Sequence, residues 1–323
     1  MPSNPPIRQH TVPCSYLSWF SDVPSWRDSV IEIYDIQKQE TRTSKVSGVT
    51  IEKDFYTLYD DDWNPDYRIE HFFAEYVESG IRDIVDKIEK HKWLSLNDRK
   101  YLSEFIAFQE MRSTFRRNWD WKQKAKMVEL IWRSYLENMD EWEERSIRFA
   151  KNLKEELWIS ISNENGIEIL QKIYNWEDFE IIDKEWSIRN LWLAPEIAEL
   201  ILHRKWFFIE APKWGRFITS DYPVFLKWDP TFSNFYGVGY WTAIYIGFPI
   251  SKNVYLMAQD LQTSIVDPEY LKFIEPNMIR ELNLCTAQWG HKWIMWLNKK
   301  YLEVIFQRVI SRNCTHRKHK RTM

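Results

Sequence analysis

Glycine is sparse in this chain, 8 in 323 residues, against a usual share of about 7%. Chains so poor in glycine and rich in charge are usually helix-rich. There is no Gly-rich phosphate loop, no Gly-x-Ser-x-Gly elbow and no Cys-x-x-Cys pair, which disfavours P-loop nucleotide hydrolysis, serine-hydrolase chemistry and structural zinc. The three cysteines, Cys14, Cys285 and Cys314, are too few and too scattered for a disulfide framework, so a reducing cytoplasm is the expected compartment. Three prolines among the first six residues leave no apolar core for a signal peptide, and secretion is not expected. The longest uncharged run, 230–251, is interrupted by Pro230, Gly237, Gly239 and Pro249 and makes a poor membrane span; it reads as buried strands and loops. Neither sign of charge dominates: 44 Lys and Arg stand against 47 Asp and Glu, so no whole-chain field draws in nucleic acid or an anionic membrane.

What the chain does have is length for a substantial core and an aromatic share of 16%, with 19 Trp, 16 Tyr and 18 Phe. Val30-Ile31-Glu32-Ile33-Tyr34-Asp35 alternates like a strand, and 48–59 reads as a second strand or extended crossing. From Asp66 the apolar positions Ile69, Phe72, Phe73, Tyr76, Val77, Ile81, Ile84, Val85 and Ile88 recur at helical spacing and predict one helix of about 24 residues. Ser95 and Asp98 offer a polar start for the next helix, which carries Gln109 and Arg112. Residues 119–158, charged and free of Gly and Pro, read as two helices packed as a hairpin, and the weakly patterned 163–184 as a hinge. Residues 206–210 and 216–226 look like antiparallel strands, with more at 241–248 and 254–258, a helix over 268–290, and strands at 294–297 and 302–309 closing the sheet. The expected fold is α+β, a helix-rich N-terminal half packed on a mainly antiparallel sheet in the C-terminal half. It is read as a single large domain with two lobes: a mainly helical lobe, 1–162, with a small N-terminal hairpin, and a sheet-containing lobe, 185–310. A basic tail, 311–323, follows.

Several pieces, in order, resemble a microbial family known as domain of unknown function 4238: Gln9-His10-Thr11-Val12-Pro13 with Tyr16-Leu17 and Phe20; Asp54-Phe55-Tyr56; Phe105 to Arg112; Phe217-Ile218-Thr219-Ser220-Asp221-Tyr222-Pro223-Val224; and Phe248-Pro249-Ile250-Ser251. The resemblance covers most of the chain, and its most specific parts are the Gln-His-x-Val-Pro opening and the Thr-Ser-Asp-x-Pro strand. It implies a stand-alone cytoplasmic protein of mixed helix and sheet, and assigns no activity. The family often has a Pro soon after the Arg of its Gln-x-x-Arg segment, where this chain continues Ser113-Thr114-Phe115.

His10, the side chain that titrates near neutrality, is a candidate general acid, general base or metal ligand, or else a helix cap or satisfied core residue. Asp221, where a strand is about to turn, can orient His10, bind a cation or act as base; equally it can accept amide hydrogens in an Asx-type turn. Arg112 and Gln109, on consecutive turns of one helix, can fork onto a phosphate or carboxylate, and an ordinary salt bridge explains Arg112 equally well. Gln9, Ser220 and Asn283 complete the candidate substrate-binding set, with Asn283 expected to reach back toward Thr219-Ser220-Asp221. On the first long helix Glu70, His71, Glu75 and Glu78 sit at spacings that can hold a divalent metal, with Glu70 and Glu78 the chosen ligands, although Glu-rich helix faces are mostly solvated. Arg116 and Arg117 can touch a nucleic-acid backbone, as can the basic tail with His316 and His319.

Two functional readings and a third, structural one follow. One is a nucleic-acid-directed phosphodiester hydrolase using His10, Asp221 and Arg112, in a defence or toxin setting. The alternative is a non-catalytic binding or interaction module, in which the same residues form a ligand site or structural clasp and the helices at 119–158 dock a protein partner. The third has Gln9, His10, Arg112 and Asp221 as one buried polar network pinning the N-terminus onto the sheet.

Overall fold

The computed structural model describes residues 6–23, 26–60, 62–133, 142–157, 162–175, 184–213, 215–227, 239–262, 264–272, 275–296, 300–305 and 307–309. The protein is α+β, about 50% helix and 21% strand. In chain order the N-terminal elements are β1 (Arg8–His10), α1 (Cys14–Ser18), β2 (Val30–Asp35), β3 (Glu40–Lys45), β4 (Ile51–Lys53), β5 (Leu58–Tyr59), β6 (Pro65–Asp66), α2 (Arg68–Phe72), α3 (Ile81–Glu89) and α4 (Leu96–Met111). Four helices follow, α5 (Thr114–Arg133), α6 (Trp142–Leu157), α7 (Asn163–Asn175) and α8 (Lys184–Arg189). The remainder is α9 (Ala194–Leu202), β7 (Arg204–Glu210), β8 (Thr219–Ser220), β9 (Phe225–Lys227), β10 (Tyr245–Pro249), β11 (Val254–Leu261), β12 (Glu269–Leu271), α10 (Pro276–Trp289) and β13 (Trp293–Trp296). The chain divides into two compact units, 1–114 with 190–323, and 115–189, a grouping that cuts across the expected lobes at 162 and 185. The basic tail and its two histidines lie outside the described residues.

In the larger unit, two main sheets share one helix. One runs β3-β2-β13-β8 and the other β12-β7-β11-β10-β9, antiparallel except for the β12–β7 pair. Helix α10 supplies both cores: Leu284 and Ala287 pack with Tyr34, Ile218 and Ile294, while Ile279 and Leu282 pack with Ile209, Phe217 and Tyr255. The pairing of β2 with β13, Tyr34 opposite Ile294, joins the start of the chain to its end. Helix α4 opens with the capping box read in the sequence: Asp98 N–H donates to the Ser95 hydroxyl at 3.1 Å, and the Asp98 carboxylate accepts from Ser95 N–H at 2.9 Å.

Several expectations are corrected. The 24-residue helix is broken: α2 passes into a π turn, Phe73–Val77, and Ser79-Gly80 then separate it from α3. Apolar spacing does not detect an inserted residue that leaves the pattern on one face. Strand β3, almost entirely polar, carries no alternation and was not expected, yet it pairs with β2 along its full length. Segment 206–210 does not pair with 216–226; β8 joins β13 and β9 joins β10. The helix expected from 268 begins at Pro276, and β12 occupies the earlier residues. Residues 300–305 and 307–309 are helical, where a closing strand was expected, and Leu302, Ile305 and Val309 enter the core at helical spacing. The expected hinge contains α7.

Gly247 on β10 is required by a close approach. A Cβ there would lie 2.5 Å from the Tyr255 hydroxyl and 3.1 Å from its ring, and Tyr255 is completely buried. Gly247→Ala is expected to lose roughly 1–3 kcal/mol, read as a lower urea midpoint at unchanged m value; an unchanged midpoint would show that the β10–β11 pair is looser than described.

Candidate functional site

Among the described residues strand β1 pairs only with β4, Gln9 opposite Glu52 and His10 opposite Ile51. A two-stranded ribbon of this length is not stable alone, and side chains hold it. The Gln9 carbonyl oxygen accepts from Tyr56 N–H at 2.6 Å and its amide donates to the Thr57 hydroxyl at 2.9 Å. From the C-terminal end of α4, the Gln109 amide donates to the Thr11 carbonyl at 3.0 Å. One turn on, Arg112 donates through one nitrogen to Glu78 and through another to the His10 carbonyl, both at 2.7 Å. The guanidinium lies 4.5 Å from the Phe73 ring centre and Arg112 is almost wholly buried. The π turn delivers Glu78, whose N–H reaches back five residues to the Phe73 carbonyl.

The His10 side chain is fixed by backbone. Its Nδ1 lies 3.0 Å from the Val49 carbonyl, which can only accept, so Nδ1 carries the proton and Nε2 the lone pair. The Cys14 Sγ sits 3.2 Å from Nε2 and 3.6 Å from Nδ1, and the thiol donates to the Val46 carbonyl at 3.7 Å. Burial lowers the imidazole pKa to about 4, with Arg112, Arg27 and Arg8 adding in the same sense against the Val49 bond, and burial pushes the Cys14 thiol up to about 11. The pair is therefore thiol and neutral imidazole across the neutral range. Thr50, next to Val49, holds a left-handed backbone at φ 56°, unusual for a β-branched residue; its N-terminal neighbour's carbonyl serves His10 and its own serves Thr11 N–H at 2.9 Å.

The expected metal ligands have another role. Glu78 pairs with Arg112. Burial, with Glu78 adding to it and Arg112 opposing, raises the Glu70 carboxyl to about 7, and one of its oxygens is buried without a hydrogen-bond partner. His71 and Glu75 face solvent. Among the described residues no group of three or more His, Cys, Asp or Glu is arranged to hold a metal.

Asp221, Ser220 and Asn283 stand in a second network. Asp221 accepts from the N–H groups of His291 and Lys292, each at 2.9 Å, and its own N–H donates to Trp293 O at 3.1 Å; the carboxylate thus holds the turn from α10 into β13. Burial raises its pKa, opposed by the backbone of His291, Lys292 and Trp293. This is the backbone-binding role weighed for Asp221, made across the fold and not with its own turn. Ser220 forms the local turn, its hydroxyl donating to Tyr222 O at 2.8 Å and accepting from Tyr222 N–H at 3.2 Å. Asn283 accepts from Ile218 N–H at 3.1 Å and donates to Arg216 O at 2.9 Å, just short of the stretch it was expected to reach.

The two networks meet through residues that sequence reasoning passed over. Tyr222 donates to Glu110 beside Gln109. Tyr16 donates to Pro249 O and accepts from the Thr219 hydroxyl, both at 2.8 Å. These tyrosines fall inside the quoted motif segments, and their signal was a hydroxyl in an otherwise apolar run. The structure thus brings together Gln9, His10, Gln109, Arg112, Glu70 and Glu78, and separately Ser220, Asp221 and Asn283; His10, Arg112 and Asp221 do not form a triad.

Two predictions follow from this division. Arg112→Lys keeps the charge without the fork and Asp221→Asn removes a carboxylate acceptor, each expected to cost about 1–3 kcal/mol in urea unfolding. Sharing no partner, the two losses should add within about 0.5 kcal/mol; a coupling above ~1 kcal/mol would mean a single network. Glu70 titrates high in the folded state, so its contribution is fully present below the ordinary carboxylate pKa of 4.5 and is lost as pH rises through about 7. Glu70→Gln should therefore gain stability relative to wild type between pH 5 and 8, and a pH-independent difference in midpoint would refute the buried acid.

No helix among the described residues is long and apolar enough to cross a membrane. No curated protein and no solved structure matches the chain. The family described as Protein of unknown function (DUF4238) matches residues 8–300, a span that contains both networks and the inserted helices between them, and the chain belongs to that family.

Proposed function

We propose that this protein is a non-catalytic binding module in which the Gln9-His10 opening is a structural clasp. The observation that carries this reading is the engagement of the candidate groups. Both terminal nitrogens of Arg112 are bonded, to Glu78 and to the His10 carbonyl. Both carboxylate oxygens of Asp221 hold backbone N–H groups, and the His10 ring is held by the Val49 carbonyl with the Cys14 sulfur 3.2 Å from Nε2. A general base needs a free lone pair within reach of substrate, and a charge-stabilising Arg needs donors that a substrate can reach, whereas the one Arg112 nitrogen left without a partner, Nε, is enclosed by protein. Replacing any of these bonds by a substrate contact would leave a buried partner unsatisfied.

The competing reading, phosphodiester hydrolysis, is favoured by one observation: the Glu70 carboxyl, raised to about 7 beside Arg112, has the proton affinity of a general acid. Incubation of the full chain with RNA, single-stranded DNA and duplex DNA, with and without Mg²⁺ or Mn²⁺, separates the two. The expected result is intact substrate in every arm. Cleavage by wild type that His10→Gln or Glu70→Gln abolishes, while circular dichroism shows the variants folded, would overturn the binding reading and establish the hydrolase.

A further inference from the structure

The helix α5 carries a surface that neither network uses. Over 114–130 the helix holds five cations, of which Lys122 and Lys126 are exposed, Arg116 and Arg117 half-buried and Lys124 buried, against Asp120 and Glu129. This stretch therefore carries a local excess of positive charge on a chain whose formal net charge is -3. Trp119, Lys122, Lys126 and Leu130 recur at steps of three, four and four, which places them in one stripe on an α-helix. All four face solvent, Trp119 at 44% and Leu130 at 62% exposure. The opposite side is the packed one, with Ala125 and Val128 buried.

Two of the cations on this helix, both arginines, lie against indoles. Arg116 pairs with Asp120 at 3.4 Å and its guanidinium stands 4.9 Å from the Trp119 ring centre, while that of Arg117 stands 4.8 Å from the Trp121 ring centre. Lys126 bonds Glu129 at 2.8 Å, and Lys122, on the same stripe, is solvent-exposed. An exposed indole flanked by lysines combines the two elements of sequence-tolerant single-strand binding, a flat face on which a base can stack and charges that replace the counterions of phosphates. A duplex offers the phosphates and keeps its base faces stacked. An acidic protein offers the charge and gives the indole no flat partner.

We propose that the α5 stripe of Trp119, Lys122 and Lys126 is a binding surface for single-stranded nucleic acid. The proposal rests on the non-catalytic reading above and supplies its ligand. Lys122 and Lys126 contact successive phosphates and Trp119 stacks on a base next to them.

The test is fluorescence anisotropy of a labelled 20-nucleotide oligo-uridine and an oligo-thymidine with the full chain, across a salt series. Wild type is expected to bind both more tightly than a duplex of equal length. Lys122→Ala with Lys126→Ala should weaken binding at least tenfold and flatten the slope of log K against log salt by about 1.4, at ~0.7 per phosphate released. Trp119→Ala should weaken binding about tenfold with the slope unchanged, since stacking releases no counterion. A control pair on the larger unit, Lys38→Ala with Lys53→Ala, should leave both readouts unchanged, and circular dichroism should show every variant as helical as wild type. Absence of binding at low salt, or binding by the double-lysine variant with wild-type affinity and slope, would overturn the proposal. So would displacement by poly-glutamate as effective as by unlabelled oligomer, which would mark the surface as a site for acidic proteins. Binding followed by cleavage would instead defeat the non-catalytic reading and leave this surface standing.

Discussion

The buried guanidinium of Arg112 is the constraint on which the N-terminal architecture depends. A charge removed from water must be neutralised and hydrogen-bonded in place, and Arg112 achieves this with one carboxylate, Glu78, and one main-chain carbonyl, that of His10. The carboxylate comes from a π turn that re-aims the end of α2, and the carbonyl from a three-residue strand paired with β4. Phe73 and Tyr56 wall the guanidinium with their rings, and the Tyr56 hydroxyl returns to the Arg112 carbonyl at 3.1 Å. Fixing the His10 carbonyl in this way also fixes where its imidazole points, so the helix end, the π turn and the opening strand hold one another in place.

Burial then sets the protonation states. The same dry surroundings that strengthen the Arg112 bonds oppose charge on its neighbours: the imidazole stays neutral, the thiol stays protonated and Glu70 keeps its proton up to about pH 7. Glu78, in ion-pair contact with the guanidinium, is the carboxylate that balances it. A low-dielectric site with one cation and one engaged anion is electrostatically closed, and a second anion must enter as a neutral acid. The protonated state of Glu70 follows from this local balance without any appeal to chemistry.

Much of the fold was legible in the sequence because burial imposes a period. The alternation of β2 and the spacing of α3 are each statements about one apolar face, and the Ser95–Asp98 start of α4 is a local hydrogen-bond signature. What could not be read was whatever lacks a face of its own. Strand β3 is polar and lies at the sheet edge, next to β2 only among the described residues. The final helix was mistaken for a strand because Leu302, Ile305 and Val309 sit in a short apolar run whose period is ambiguous. Short strands such as β8 and β9 owe their partners to the path of the chain, which residue pattern does not encode. In the site, the residues Gln9, His10, Gln109 and Arg112 were legible as candidates. Their separation from Asp221 was not, because a carboxylate that binds two backbone amides of a distant turn has the same local sequence as one that orients a histidine.

That ambiguity has a physical root. The side chains suited to stabilise a transition state are those with strong, well-directed donors and acceptors that work away from water. The same properties make Gln, Arg, Asp and Asn the residues that can satisfy stray carbonyls and amides where short strands and helix ends leave the regular ladders. A sequence therefore marks where such groups are needed and leaves open whether their partners are substrate or backbone. The deciding quantity is occupancy, how many lone pairs and N–H groups remain unshared once the chain has folded. In this protein Arg112 and Asp221 each bind the chain with two of their outer atoms, whereas the exposed cations of α5 lie on a surface where charge costs little to keep and a ligand can reach it without breaking a buried bond. Recognition by such a molecule is placed by this reasoning at its solvated, charge-segregated helix and not at its most conspicuous motif.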